Sequence, residues 1–573
     1  MANNDLLSKI IFEAKSYNTV EDIETLVDVG ADLSMIPIQP LYMSLISSNT
    51  DQVANILPKL SSSQRQVMLD LDLWKKDVVD VESFEFWIES YSKIEDLKLV
   101  QSFVNSEDFL LYLKSRVNVY TFDVEDPQYP DHDFYFLTDD SLLLIEYSEE
   151  FKYPNELKYM IRNLYDLLGV DQAYSKLFKL INDSFAVLQE ELYINKRERL
   201  RDYGFVDYYE AIEKINAFIS YKQVESFILS KKRSTPNIDR HARNQSLHGA
   251  ALVSFDTEME NLIKELNKVT DEKRLNFLHF TFIRMINSTI VIHDALKGGR
   301  VELTRIGKVT KSYLELGLQK VRDVKQYTET ESVFVDFDFF DLYRIGKSLI
   351  EIEKNKIKKS LRKTPFENDD YEYFLGAWWT SFLEYADSEI PKMKSFGAGL
   401  HAQKISSLST YQNWTTEVDL FRNSIPFINS FFEMFLNLKK EGKLHDSFYL
   451  NYEVENIDFE AILISSFINF SLGHFSGSDV NKMGVTISEL KQFFNKFFTK
   501  NDEEYILLPL TTDFVLKTVD EFIKKFGFKT IPAFEKYLYG VLSEHLSGYE
   551  FDTLDDEDFK HIGGPILLNF TKN

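Results

Sequence analysis

The chain contains no cysteine and is poor in glycine and proline. Of its 573 residues, 21 are glycine and 13 are proline. The lack of cysteine excludes disulfides, thiolate nucleophiles and cysteine-ligated metal clusters. Few glycines and prolines mean few tight turns, which is typical of a chain built largely from helices. A cysteine-free chain also fits a reducing compartment, so we predict a cytoplasmic protein.

Acidic residues clearly outnumber basic ones. The 91 Asp and Glu residues against 65 Lys and Arg give a formal net charge of -26. This charge favours solubility and disfavours non-specific binding to nucleic acid or to an anionic membrane. The most membrane-like stretch, residues 461–478, contains serines and an asparagine, and we interpret it as a buried helix. We therefore expect a protein that is not integral to a membrane.

Residues 56–104 predict three short helices stacked one on the next. Ser61 and Gln64 have the spacing of a capping box at the start of the first helix. Lys75 and Lys76 would lie near the end of that helix, and Ser92 with Glu95 would form a second capping box. Large apolar residues recur at helical intervals, as in Phe84, Trp87, Ile88 and Tyr91. Such stripes are buried only if neighbouring helices stack, which predicts solenoid-like layers.

Several segments carry a resemblance to a known family. The segment Leu57–Trp87 resembles an uncharacterised bacterial family of large helical proteins, described only as a domain of unknown function. Further segments similar to that family are Arg201–Phe205 with Tyr208, Glu210 and Ala211, then Tyr313–Leu318, and then Phe340–Leu361. The resemblance implies a helical fold over most of the chain and brings no activity or catalytic residues.

A second, shorter resemblance concerns one helical repeat. Leu57–Leu73 is similar to the N-terminal, cytoplasmic helical domain of MgtE-type magnesium transporters. That likeness implies a soluble regulatory role beside a membrane system.

One region is predicted to be non-helical. Residues 134–137 and 142–147 flank a Thr-Asp-Asp-Ser turn and predict a small β-hairpin. An acidic loop precedes it, which we interpret as solvated rather than as a calcium site; its acidic residues are Asp123, Glu125, Asp126, Asp131 and Asp133. We divide the chain into N-terminal helical repeats (1–117), the acidic loop and hairpin (118–150), a helical region (151–232), a central helical domain (233–364) and an aromatic-rich helical domain (365–573).

Four histidines are the candidate metal ligands. His241 and His248 are two helical turns apart, and His279 and His293 are about four turns apart, so each pair can share a helix face. No HExxH motif accompanies them. A basic cluster is a candidate anion site and comprises Lys231, Lys232, Arg233, Arg240 and Arg243.

The sequence thus predicts a mainly all-α fold of stacked helices with one small hairpin. No catalytic constellation and no cofactor motif occur, so we favour a cytoplasmic protein–protein interaction or scaffold protein. One alternative is a ligand- or metal-binding protein, or an enzyme, with a pocket among the central helices. A second alternative is a soluble regulatory partner of a membrane system.

Overall fold

The structure is a computed structural model with two compact units. One unit consists of Met1–Asn216 and Ile228–Arg344, and the other of Ala217–Phe227 and Ile345–Asn573. The residues that the structure describes are 23, 25–26, 29, 33–36, 38–182, 184–233, 260–367, 371–393, 402–442, 456–474, 484–501, 504–529, 531–547, 550–551, 553–555, 557–558 and 566–568.

Helices dominate both units. The described residues form 21 α-helices and a few short antiparallel strand pairs, which confirms the predicted mainly all-α fold. The five-region subdivision drawn from the sequence stays a prediction.

The first half of the N-terminal unit alternates short helices with small hairpins. Its helices are α1 (Ile38–Ile46), α2 (Thr50–Ile56), α3 (Ser62–Asp72), α4 (Val81–Ser92), α5 (Leu97–Val104) and α6 (Glu107–Arg116). Its strands are β1 (Trp74–Lys75), β2 (Val78–Val79), β3 (Val117–Thr121), β4 (Tyr135–Leu137) and β5 (Leu143–Tyr147). Helix α4 packs against α2 and α6, so its apolar stripe is covered from more than one side.

The three helices predicted in residues 56–104 are present, with two corrections. Ser61 and Gln64 form the predicted capping box of α3. However, α3 ends at Asp72, and Lys75 and Lys76 belong to the β1–β2 hairpin instead of the helix. The second predicted capping box is also wrong, because Asp96 caps α5 by accepting from the amide of Lys98 at 3.0 Å.

The predicted hairpin near residues 134–147 is confirmed as β4 and β5. Phe136 pairs with Ile145 in antiparallel register. A third strand, β3, pairs with the other edge of β5, with Val119 opposite Ile145. The sequence did not reveal β3, because Val117–Thr121 follows α6 without a turn residue. The added strand gives β5 a partner on both edges, which stabilises a sheet that a lone hairpin would not sustain.

Longer helices complete the N-terminal unit. They are α7 (Pro154–Leu168), α8 (Val170–Asn182), α9 (Phe185–Asp202), α10 (Tyr208–Ile215), α11 (Tyr221–Ser230), α12 (Glu260–Asn267), α13 (Glu272–Ile292), α14 (Gly299–Lys325) and α15 (Phe339–Leu361), of which α11 and α15 also contribute residues to the other unit. Gly169 ends α7 at φ 72°. Gly317 lies where α14 meets the backbone carbonyl of Leu342, so a β-carbon there would overlap it.

The C-terminal unit is organised around one apolar helix. Its remaining elements are α16 (Gly376–Asp387), α17 (Leu408–Lys440), α18 (Phe459–Ser471), α19 (Ile487–Phe497), α20 (Asp513–Lys525) and α21 (Phe534–Leu546), with hairpins β6 (Lys392–Met393) to β7 (Gln403–Lys404) and β8 (Phe498–Asn501) to β9 (Glu504–Leu507). Helix α18 packs against α16, α17, α19, α20 and α21 and is buried nearly all round. The helix predicted over residues 461–478 ends at Ser471, and residues 475–478 lie outside the described residues.

Length and apolarity single out one described helix as able to cross a membrane. That helix is α13, and 61% of its most apolar window is buried inside the protein. A core helix of this length passes the same test, so the observation carries no membrane assignment.

Candidate functional site: a cationic cleft in the N-terminal unit

A cleft of about 650 Å³ opens in the N-terminal unit. Its walls come from the ends of α3, α9 and α13, from the β1–β2 hairpin and from the loop that precedes α10. The charged residues lining it are Lys75, Lys76, Lys196, Arg197, Asp70, Asp207 and Asp294. The apolar and aromatic residues lining it include Leu71, Trp74, Leu200, Phe205, Tyr208 and Ile290. Apolar and aromatic residues together with a few charged groups are the usual composition of a small-molecule site.

The β1–β2 hairpin holds Lys76 in an unfavourable backbone conformation. Lys76 is the first residue of a two-residue loop and has φ 62°, where a glycine is favoured. Its ammonium lies 5.0 Å from the centre of the Tyr208 ring. Asp294, which also lines the cleft, has a positive φ of 49° as well. Non-glycine residues in this region cluster at functional sites, because the surrounding structure must sustain their strain.

Lys196 is a half-buried cation held by aromatic rings. Its ammonium lies 5.0 Å from the centre of the Trp74 ring and 5.2 Å from that of Tyr193. Its one hydrogen bond is a long one of 3.4 Å to the backbone carbonyl of Lys76. In the part of the chain that the structure describes, Lys196 makes no ion pair. Burial lowers the pKa of Lys196 to about 8, although the carboxylates of Asp70 and Asp207 oppose the shift.

The loop before α10 is fixed by a buried asparagine. Asn287 of α13 donates to the backbone carbonyl of Gly204 at 2.8 Å and accepts from the side-chain amide of Gln39 at 2.7 Å. Gly204 has φ 79°, which a side chain would strain. This anchoring places Phe205 against the cleft. Phe205, the last residue of the segment Arg201–Phe205 that resembles the helical family, therefore lines the cleft.

A buried carboxylate joins three of the helices near the cleft. Asp72, at the end of α3, accepts hydrogen bonds from the hydroxyl of Tyr42 and the indole of Trp87, each at 2.7 Å. Lys297 lies 3.5 Å from the same carboxylate and 3.3 Å from that of Asp80. Burial, together with the negative charge of Asp72, raises the pKa of Tyr42 well above its ordinary value. These contacts tie α1, α3 and α4 together beneath the hairpin.

Part of the negative charge in the cleft is already neutralised. Arg199 donates two hydrogen bonds to Asp70, at 2.7 and 2.8 Å. Asp207 accepts from the hydroxyl of Tyr193 and caps α10 through the amide of Tyr209. By contrast, Lys76 and Lys196 form no ion pair with any described carboxylate. The cleft therefore presents unpaired positive charge within a protein of net charge -26.

The histidines predicted from sequence are placed as follows. His241 and His248 lie outside the described residues. His279 is largely buried on α13 with an unpartnered Nε2, and burial lowers its pKa to about 4. His293 caps the end of α13. Among the described residues, no group of three or more histidines and carboxylates is placed to hold a metal ion.

The predicted basic cluster lies away from the cleft lining. Lys231 pairs with Asp341 at 2.8 Å, and Arg233 pairs with Asp271, so both charges are partly neutralised within the protein. Lys232 is exposed. Arg240 and Arg243 lie outside the described residues. Anion binding by this cluster stays a prediction.

Sequence patterns did not identify Lys76 or Lys196 as site residues. Both lie in ordinary helical or turn surroundings, and no motif marks them. The cleft brings together residues more than 200 positions apart, so only folding reveals that they are neighbours. The sequence features that fall on the cleft are two segments that resemble the helical family, Leu57–Trp87 and the one around Gly204.

The fold and the cleft together define a class: a large, mainly α-helical protein with a small-molecule-sized cationic cleft. Comparison with known proteins then gives the family. Residues 10–567 match a family of unknown function, DUF6178, and the chain belongs to that family. No curated protein and no solved structure matches, so the likeness to magnesium-transporter domains finds no support.

Proposed function

We propose that the protein binds a small organic anion in the cationic cleft of its N-terminal unit. The observation that carries the proposal is the pair of lysines, Lys76 and Lys196, whose ammonium groups border the cleft without an ion-pair partner among the described residues. The cleft volume of about 650 Å³ falls within the range of small-molecule sites.

The lining supports an anion with an apolar body. Leu71, Leu200, Phe205 and Ile290 supply apolar surface. An aromatic ring or alkyl chain of the ligand would remove this surface from water, which favours binding. The lysines supply charge-assisted hydrogen bonds that a carboxylate or phosphate accepts. The net charge of -26 opposes anions at long range, but salt confines that effect to about 8 Å at physiological ionic strength. Inside the cleft, Lys76 and Lys196 then act at short range, together with the carboxylate of Asp294, whose pKa is raised by burial.

Binding of 2-naphthoate tests the proposal, with the uncharged 2-naphthamide as its partner compound. We expect calorimetric titration to show naphthoate binding that weakens with added salt and exceeds naphthamide binding. Lys196→Met removes the charge but keeps the stem, and should weaken binding about 10-fold, or about 1.4 kcal/mol. Lys98→Met is the matched control, because Lys98 is exposed on α5 and remote from the cleft lining. Equal binding by wild type and Lys196→Met would refute the proposal.

An interaction or scaffold role is the second candidate. Its support is an exposed apolar face on α9, where Val187 is 57% exposed and Ile194, two turns later, is 47% exposed. Such a face favours a protein partner. In affinity capture, the wild type should recover a protein partner that the double variant Val187→Glu/Ile194→Glu does not recover. Identical recoveries by the two proteins would contradict this role. A cytoplasmic location remains a prediction from the cysteine-free composition.

A further inference from the structure

We propose that Lys196 is a Schiff-base-forming lysine, and that the anion bound in the cleft carries an aldehyde or ketone. This inference rests on the proposed anion-binding function and specifies the chemical class of the ligand. It depends on the position of the Lys196 amine at the cleft wall, on the aromatic groups that hold it, and on the second lysine beside it.

The surroundings of Lys196 suit an amine that must react. A lysine paired with a carboxylate is held as an ammonium, which has no lone pair to attack a carbonyl. Lys196 instead lies against the rings of Trp74 and Tyr193, at 5.0 and 5.2 Å from their centres. Aromatic faces attract the cation more weakly than a carboxylate would, and they exclude water from one side of the amine.

The proton equilibrium of Lys196 agrees with this geometry. Burial lowers its pKa to about 8, whereas an exposed lysine has a pKa near 10.4. At pH 7 the neutral fraction is then about 9%, against about 0.04% for an exposed lysine. Lower basicity also lowers intrinsic nucleophilicity by about 10-fold over this difference in pKa, so the expected reactivity advantage is about 20-fold.

The reaction balances without any further reactant. The neutral Nζ of Lys196 attacks the carbonyl carbon and forms a carbon–nitrogen bond, giving a carbinolamine. The former carbonyl oxygen leaves as water with the two hydrogens of the amine, and an imine remains. Lys76 belongs to the neighbouring β1–β2 hairpin, and its ammonium lies over the ring of Tyr208. This ammonium would hold the ligand's anionic group. Lys196 supplies the nucleophile and Lys76 the counter-charge.

The probe for this inference is 6-formyl-2-naphthoate, which adds an aldehyde to the anion used above. The full-length protein is incubated at pH 7 with the probe and sodium cyanoborohydride, which reduces an imine to a stable secondary amine. Peptide mass spectrometry then quantifies the adduct at every lysine. We expect Lys196 to be modified about 20-fold faster than the exposed Lys98, an advantage that shrinks toward pH 10 as ordinary lysines deprotonate.

Two controls separate this inference from the anion-binding proposal. Excess 2-naphthoate should suppress modification of Lys196 and leave Lys98 unchanged. Lys196→Arg keeps the positive charge, so naphthoate should still bind within a few-fold of wild type while the adduct is lost from the cleft. If naphthoate binds but Lys196 reacts no faster than Lys98, the Schiff-base inference alone is wrong. If naphthoate does not bind, the proposed function is wrong as well.

Discussion

The strained hairpin at Lys76 allows stability and ligand binding to be separated by one substitution. Lys76 occupies φ 62° at the first loop position between β1 and β2. A side chain in this left-handed region costs about 1–2 kcal/mol. Glycine removes that cost but adds about 0.5–1 kcal/mol of unfolded-chain entropy. We therefore expect Lys76→Gly to stabilise the hairpin while it weakens anion binding.

The comparison variant is Lys76→Met, which also loses the ammonium and its contact with Tyr208 but keeps the β-carbon. The difference between the two variants isolates the backbone term, which is about 0.5–1 kcal/mol in favour of glycine. Hydrogen exchange of the hairpin reports this locally, for example at the amide of Asp80, which donates to the carbonyl of Leu73 at 2.8 Å. Exchange should be about 2- to 5-fold slower in Lys76→Gly than in Lys76→Met.

Both variants should bind 2-naphthoate about 10-fold more weakly than wild type, because each lacks one charge-assisted hydrogen bond. Faster exchange in Lys76→Gly than in Lys76→Met would show that the positive φ carries no strain. Wild-type affinity in both variants would show that Lys76 does not face the ligand. Either result would refute the argument that strain is retained at this hairpin in order to position a cation.

Three further predictions concern the stability of the N-terminal unit. Asp72→Asn should destabilise it by about 2–3 kcal/mol, because one acceptor oxygen replaces two in a buried network. Gly317→Ala should cost about 3 kcal/mol, since the new β-carbon meets the rigid backbone carbonyl of Leu342. His279 has a folded pKa of about 4 against about 6.5 when unfolded, so only the unfolded chain gains a proton as the pH falls. Stability should drop from about pH 6.5 downward, and by pH 5 the wild type should lose about 2 kcal/mol relative to His279→Phe.

Hydrogen exchange of α13 and α14, measured at increasing urea concentration, checks all three. Gly169→Ala is the comparison for Gly317→Ala: it also places a β-carbon on a glycine, but one with open space around it, so only its backbone conformation, φ 72° and ψ 168°, should cost stability, about 1–3 kcal/mol. A loss of less than about 1 kcal/mol in Gly317→Ala would contradict the close approach of α14 to Leu342. A stability difference between wild type and His279→Phe that does not change with pH would show that His279 is not buried as a neutral group.

Local patterns predicted the helical elements well, because they depend on neighbours a few residues away. The capping box of Ser61 and Gln64 and the β4–β5 hairpin are of this kind. The errors arose where a partner distant in sequence decided the outcome. Lys75 and Lys76 looked like the end of a helix, but the pairing of β1 with β2 removed them from it.

The candidate site was less predictable than the fold for the same reason. The four histidines are candidates because their spacing on a single helix is visible in the sequence. Lys196 has no such pattern, because its lowered pKa and its contact with Trp74 arise from burial and from a residue on another element. The segment Arg201–Phe205 was noticed as a resemblance, yet the position of Phe205 in the cleft lining depends on a hydrogen bond from Asn287.

By itself, the sequence determined that this chain is cysteine-free, strongly acidic and built from amphipathic helices, since composition and periodicity are local properties of a chain. The tertiary structure alone decided that two lysines from separate elements border one cavity without ion-pair partners among the described residues. The physical reason is that desolvation and charge pairing depend on which side chains meet after folding. The chemistry of Lys196 follows from the side chains that contact it in the folded protein rather than from its place in the sequence.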